Sequence, residues 1–382
     1  MRVVPHSQSA TAPRTALEQH YYTSPEWHQR DLDLVFKNRW LFVGHASQLP
    51  NHGDFITFEI GKESVVIARE KDKLHAFYNS CRHRGSRLCT QDHGNVKAFT
   101  CPNHAWTYGL DGSLKIAPRV TEIDKSQFSA VPVAVEEWHG MIFIHLAKTQ
   151  PNTVAGYLAA ANLGRYALQR TKVVLDKTYH LNSNWKLAGE TYNECYHCGH
   201  THPALCSLVD PLKDLEAWDD TSTADDFAMY TDDMRDAIIK PGTRTFSMDG
   251  QLVCQKPLGA DGEWHNEIAA LSWFPNFGIF VYPDHAVTYS WMPVAHDQTL
   301  FRSTWLVHED AVEGKDYDLA ALTALGDVTN VEDKVVCENA QKGIETAGYI
   351  PGPLHSVFEG PLRGFNKVYL DYVNANRVEG QP

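Results

Sequence analysis

At 382 residues the chain is long enough to bury two cores, and its 43% hydrophobic content is ordinary for a globular protein. A formal net charge of −13 argues against a nucleic-acid partner, which needs clustered Lys and Arg, and modestly favours a cationic small molecule. There is no apolar run of about 18 residues to span a membrane, and eight cysteines, two of them with histidines at ligand spacing, fit a reducing compartment, taken as the cytoplasm.

Met1 to Arg14 lacks an apolar signal core and reads as a short mobile tail. Ala16 to Trp40 reads as helical, with a Ser24-Pro25 start signal. From Leu41 to about Leu146 short β-like runs take over, among them 54–58, 64–68 and 141–144, separated by turns such as Leu110-Asp111-Gly112-Ser113. Beyond Thr149 helices and strands mix. Asn184 to Cys198 reads as one helix, Phe277 to Met292 alternates in strand fashion, and Val328 to Ala347 reads as a helix ending near Gly348. The expected organisation is α+β: an all-β domain (41–150) and a mixed domain (151–382), with an N-terminal helical segment (1–40) that joins the mixed domain.

Two doublets lie in the β domain, Cys81-Arg82-His83 and Cys101-Pro102-Asn103-His104, with seventeen residues between them. Two thiolates and two imidazoles on paired loops suit a [2Fe–2S] cluster with two Cys on one iron and two His on the other. A zinc site is the competing reading, but zinc prefers a Cys pair followed by a His pair. Ser86, Trp106 and Tyr108 stand where they could support the sulfurs, and Cys89, outside both doublets, reads as a buried thiol.

The second constellation is Glu194-x2-His197-x4-His202. On a continuous helix Glu190, Glu194 and His197 share one face, with Gly199 as a stop that turns His202 back. Two histidines at a helix end can hold one metal, and a carboxylate completes the facial triad of non-haem iron enzymes. Asp333 is the candidate: it shares an apolar helical face with Val336, Cys337, Ala340 and Ile344, while Lys334, Glu338, Gln341 and Glu345 face outward. Its other reading is an aspartate favoured by a helix dipole. His200 is set aside as a ligand, and Cys195-x2-Cys198 mimics a redox pair but lacks a thioredoxin-like setting, so both cysteines are assigned to packing.

These motifs together, with Pro283-Asp284-His285 and Cys337-Glu338-Asn339-Ala340-Gln341-Lys342-Gly343, resemble the Rieske non-haem iron oxygenases. The resemblance implies a Rieske [2Fe–2S] domain, a helix-grip catalytic domain with mononuclear Fe(II), and a homotrimer in which electrons cross between subunits. It also implies that Cys81, His83, Cys101 and His104 hold the cluster and His197, His202 and Asp333 the iron, with Glu194 as the bridging carboxylate. Glutamate at the bridge resembles the group acting on quaternary ammonium compounds with O2, releasing formaldehyde; an aromatic-acid ring hydroxylase is the alternative. Asn103 and Ala105 depart from the more usual Tyr and Gly. A cationic substrate favours aromatic walls, for which Tyr192, Trp273, Tyr282 and Tyr289 are the candidates. The chain has no G-x-G-x-x-G after a strand, so NAD(P)H and flavin are expected on a separate reductase.

Overall fold

The computed structural model describes residues 2–3, 12–149, 152–211, 228–234 and 238–375. Most of the tail expected over Met1–Arg14 lies outside them. The chain divides into two compact units, 36–154, and 1–35 together with 155–382.

The smaller unit is antiparallel β. Its larger sheet runs, in spatial order, through Trp40–His45, Met141–His145, Pro132–Trp138, Lys73–Tyr78, Glu63–Glu70, Asp54–Ile60 and His93–Asn95. A three-stranded sheet of Phe99–Thr100, Thr107–Tyr108 and Leu114–Ile116 completes it. One core joins the sheets: Phe99 meets Phe55 and Phe77 edge-on at 5.3 and 5.5 Å, and Cys81 and Cys101 are buried in the same cluster.

Two loops of matching backbone emerge from that core. In the first, Gly85 N–H donates to Cys81 C=O (2.8 Å) and Cys81 N–H to Ser86 C=O (2.8 Å); in the second, Ala105 donates to Cys101 (3.1 Å) and Cys101 to Trp106 (2.8 Å). Each closure puts the fourth residue after the cysteine in the left-handed region, Gly85 at φ 76° and Ala105 at φ 57°. A Cβ there costs about 1–2 kcal/mol, partly offset by the chain entropy that glycine loses on folding. Ala105→Gly is therefore expected to stabilise this unit by about 0.5–1 kcal/mol, read as a higher temperature for bleaching of the cluster's visible absorption.

The larger unit is built on a seven-stranded antiparallel sheet ordered Arg2–Val3, Ala228–Thr231, Ala269–Trp273, Phe277–Val281, Ala286–Ala295, Gln298–His308 and Thr171–Leu181. The stretch read as one alternating strand over 277–292 is a hairpin instead, closed at 282–285 by a Tyr282 N–H to His285 C=O bond of 2.9 Å.

The helix Leu319–Ile344 is gripped against the sheet. Asp327 accepts from Lys177 and from Tyr179 Oη (2.5 Å), and Asn330 Nδ2 donates to Ser303 Oγ (2.9 Å). It starts nine residues before the expected Val328, because the Asp318 carboxylate caps the Ala321 N–H (2.9 Å). Its buried face runs Asp333, Cys337, Gln341, Ile344. Gln341 thus points inward, contrary to its expected outward position, and its Oε1 accepts from the Asn184 N–H (2.9 Å) just ahead of the next helix.

That helix, Trp185–Thr191, is N-capped by Asn184 and almost wholly buried. Lys186 meets Asp31 at 2.5 Å with neither side chain exposed, and Trp185 Nε1 and Tyr369 Oη both donate to the same carboxylate at 2.8 Å. Burial pushes the Lys186 pKa down against the pull of Asp31. Such a pair needs hydrogen-bond partners to offset burial, and here three donors, Trp185 Nε1, Lys186 Nζ and Tyr369 Oη, converge on the carboxylate.

Candidate active site: two metal-binding constellations

In the smaller unit the four expected cluster residues come together from the two matched loops. The cysteines are buried and the histidines exposed, with the His83 and His104 rings 4.6 Å apart. Trp106 stacks on His83 at 5.0 Å and 13°. Tyr108 Oη lies 3.4 Å from Cys81 Sγ and accepts from the Arg82 N–H (3.0 Å). Burial opposes the Cys101 thiolate, but hydrogen bonds from the Asn103 backbone, Cys81, the His104 backbone and Ser86 outweigh it and lower the pKa.

Soft, buried, hydrogen-bonded sulfurs facing two accessible imidazoles fit a Rieske cluster, with the histidine edge turned outward for electron transfer. Asn79 holds the first loop: its Oδ1 accepts from the Leu88 and Cys89 N–H groups (3.0 and 2.9 Å). Cys89 is a half-buried free thiol outside the four.

In the larger unit the segment after Trp185 does not continue as one helix. It ends at Thr191, because the Asn193 carboxamide donates back to the Gly189 carbonyl (2.5 Å) and competes with the helical ladder. Glu190 therefore parts from Glu194: it accepts from Tyr22 Oη (2.7 Å), and burial raises its pKa to about 7. Gly199 is no stop either; it sits within a short helix, Cys198–Thr201, and the chain turns at His202 itself. His200 is exposed, whereas His202 is buried.

The break brings the candidates together. His197 Nε2, His202 Nε2 and Asp333 Oδ1 lie 3.0–3.2 Å from one another. Two atoms each about 2.1 Å from one ion and about a right angle apart need that spacing. Each outer nitrogen is held by a carboxylate: His197 Nδ1 by Glu194, and His202 Nδ1 by Glu332 (2.8 Å). Glu194 also accepts from the Tyr196 and His197 backbone N–H groups.

Carboxylates that fix the outer nitrogen orient a ligating imidazole and strengthen it as a donor, so the set fits a mononuclear iron with open positions. Burial penalises the Asp333 carboxylate, yet His197 and His202 keep its pKa below the usual range. Burial likewise disfavours protonated His197, but Asp333 and Glu194 raise its pKa to about 9.

Cys198 Sγ also approaches the pair, at 4.0 Å from His197 Nε2. It is joined to Cys195 in a disulfide, so these cysteines are bonded to each other rather than simply packed. Their Cα separation of 4.9 Å is within reach of such a bond.

The three ligand candidates open on a cavity of about 120 Å³. Tyr192, Tyr282 and Tyr289 line it, as expected; Trp273 does not, packing instead near Tyr157 in the sheet's interior. Phe246, Phe280, Trp305 and His285, not assigned from sequence, also line it. Phe280 lay in the aromatic enrichment around 273–291 and His285 in the Pro283-Asp284-His285 motif, but neither signal separated wall from core, and Phe246 and Trp305 carried no signal. No lysine or arginine is among the lining residues.

One unit with a two-Cys, two-His cradle and another with two histidines and a carboxylate over an apolar cavity define an oxygenase fed by an iron–sulfur cluster. The chain belongs to the Rieske non-haem iron oxygenases: the Rieske [2Fe-2S] domain model matches residues 39–132, and the ring hydroxylating alpha subunit (catalytic domain) model matches 168–375. It is 33% identical to the glycine betaine monooxygenase oxygenase subunit of Pseudomonas aeruginosa, over 95% of this chain and 90% of that one. It is 29% identical to the carnitine monooxygenase oxygenase subunit of Escherichia coli K12, over 86% and 84%. A quaternary ammonium Rieske monooxygenase of known structure superposes with a TM-score of 0.75 at 26% identity, covering 94% of this chain and 95% of that one. Among the described residues no helix is long and apolar enough to cross a membrane.

Proposed function

We propose that the protein is the oxygenase component of a quaternary-ammonium N-demethylase. The observation that carries this is the cavity wall: aromatic faces and two carboxylates, Glu194 and Asp333, with no lysine or arginine to repel a cation. The relatives named for glycine betaine and carnitine support the same reading.

In it Cys81, His83, Cys101 and His104 hold the cluster, and His197, His202 and Asp333 hold iron, whose chemistry when bound is the activation of O2. Tyr192 and Tyr289 seat the ammonium group beside the ligands. Tyr192 is itself held by a 2.9 Å bond from its hydroxyl to Asn330 Oδ1 and by stacking on Phe301 at 4.3 Å. With O2, two electrons and two protons, hydroxylation of one N-methyl carbon yields a carbinolamine and water, and the carbinolamine collapses to formaldehyde, a tertiary amine and a proton. The protein works in the cytoplasm as a homotrimer, with Glu194 linking its iron site to a neighbour's cluster and a separate NAD(P)H- and flavin-dependent reductase supplying electrons.

The test is aerobic turnover with a surrogate reductase on glycine betaine, carnitine, choline, proline betaine and benzoate. Formaldehyde from at least one ammonium compound is expected. Hydroxylated benzoate with no formaldehyde from any of the others overturns the reading.

A further inference from the structure

Asp284 and His285 form a buried pair that the ligand constellation does not use. Asp284 is 0% exposed and its carboxylate takes four donors: Thr245 Oγ1 (2.7 Å), the Val253 and Cys254 N–H groups (2.8 and 3.1 Å) and His285 Nδ1 (2.8 Å). Those bonds overcome the burial penalty and keep Asp284 ionised. With Nδ1 so occupied, the nitrogen of His285 left for a ligand is Nε2, on a residue that lines the cavity. The polar contacts of His285, with Asp284 and Thr245, all lie at Nδ1, so Nε2 has no partner among the described residues.

A row of neighbouring rings connects this imidazole to the iron-ligand cluster. Tyr192 and Tyr289 are 5.6 Å apart, Tyr289 and Phe280 5.9 Å, Phe280 and Tyr282 6.3 Å, and Tyr282 and His285 4.5 Å. Asp333 acts electrostatically on Tyr192 and Tyr289, whereas Tyr282 feels Asp284 instead. The cavity thus has a carboxylate-rich pole for a cation and, along an aromatic wall, a second pole at which His285 is the lining imidazole outside the ligand set.

We infer that the Asp284–His285 pair is the anion anchor of the cavity, selecting a zwitterionic ammonium carboxylate over an amino alcohol or amide. The substrate carboxylate accepts a hydrogen bond from His285 Nε2–H while Asp284 accepts from Nδ1–H, so one imidazole bridges two carboxylates. This deepens the demethylase reading and rests on it.

The experiment uses the full iron-loaded oxygenase with a surrogate reductase. Steady-state formaldehyde release is read for glycine betaine, its primary amide and choline, in the wild type, His285→Ala, His285→Gln and Asp284→Asn. Loss of one charge-assisted hydrogen bond raises KM for glycine betaine about tenfold to a hundredfold in His285→Ala. KM for the amide moves less than about threefold, and added imidazole restores part of the loss. Asp284→Asn moves the same ratio in the same direction by a smaller factor. His285→Gln keeps a hydrogen-bonding side chain in place, so it serves if the alanine variant loses iron or cluster absorption.

Equal KM increases for acid and amide, or a fall in kcat with KM unchanged, overturn the anchor. Failure of the wild type to release formaldehyde from glycine betaine, carnitine, choline and proline betaine alike overturns the demethylase reading itself, a separate result.

Discussion

Asp333→Ala is expected to remove the mononuclear iron and leave the cluster in place. Asp333 Oδ1 is the point on which both Nε2 atoms converge, at 3.0 and 3.2 Å, and the helix that carries it is pinned to the sheet by Asp327 and Asn330. Alanine leaves two imidazoles and no carboxylate, too few ligands to hold Fe(II) with open positions. Losing a supporting residue around a metal typically costs about 10–100-fold in affinity, so losing a ligand should cost more, with turnover down by roughly a thousandfold or more. Iron analysis should fall from about three per chain to about two, with the visible spectrum of the cluster retained. A third iron that stays bound in the variant refutes the assignment.

Glu194→Gln is expected to separate electron delivery from metal binding. The wild-type carboxylate holds His197 Nδ1 through one oxygen and caps the Tyr196 and His197 N–H groups through the other. Glutamine retains an acceptor for the cap and loses the charge. If Glu194 carries electrons towards the iron, turnover falls by about 100-fold or more, a size typical of an essential preorganised polar group, while all three irons stay bound. Stopped-flow mixing of the reduced, iron-loaded enzyme with substrate and O2 then shows slow reoxidation of the cluster. If Glu194 only orients His197, the result is weaker iron binding by about 10–100-fold and normal reoxidation once iron is restored. That second pattern removes the bridge from the proposal.

The cluster cradle was legible because its chemistry is local. Soft and imidazole ligands at short spacing on two loops can be read from residue type and interval, and the two loops prove to share one backbone closure. Asp333 was legible as a carboxylate on an otherwise apolar helical face. Glu332, one residue earlier, was not: its role is to hold His202 Nδ1 from 130 residues away, and nothing in its immediate neighbours signals that. Gln341 was assigned outward by its polarity, but it is buried because it satisfies the Asn184 N–H across two helices.

The cavity wall shows the same division. Phe277–Val281 and Ala286–Trp291 are buried on nearly every residue, so no period of two distinguishes the face towards the cavity from the face towards the core. Trp273, a sequence candidate, therefore falls on the wrong side, and Phe280 and His285 on the right one. By itself the sequence determined the family resemblance, and with it the expected metals and class of reaction, because the cluster doublets and the histidine pair are patterns of short segments. Only the tertiary structure decided what meets the substrate. The break at Thr191 and the 282–285 turn place side chains through long-range hydrogen bonds and register, which no local pattern encodes.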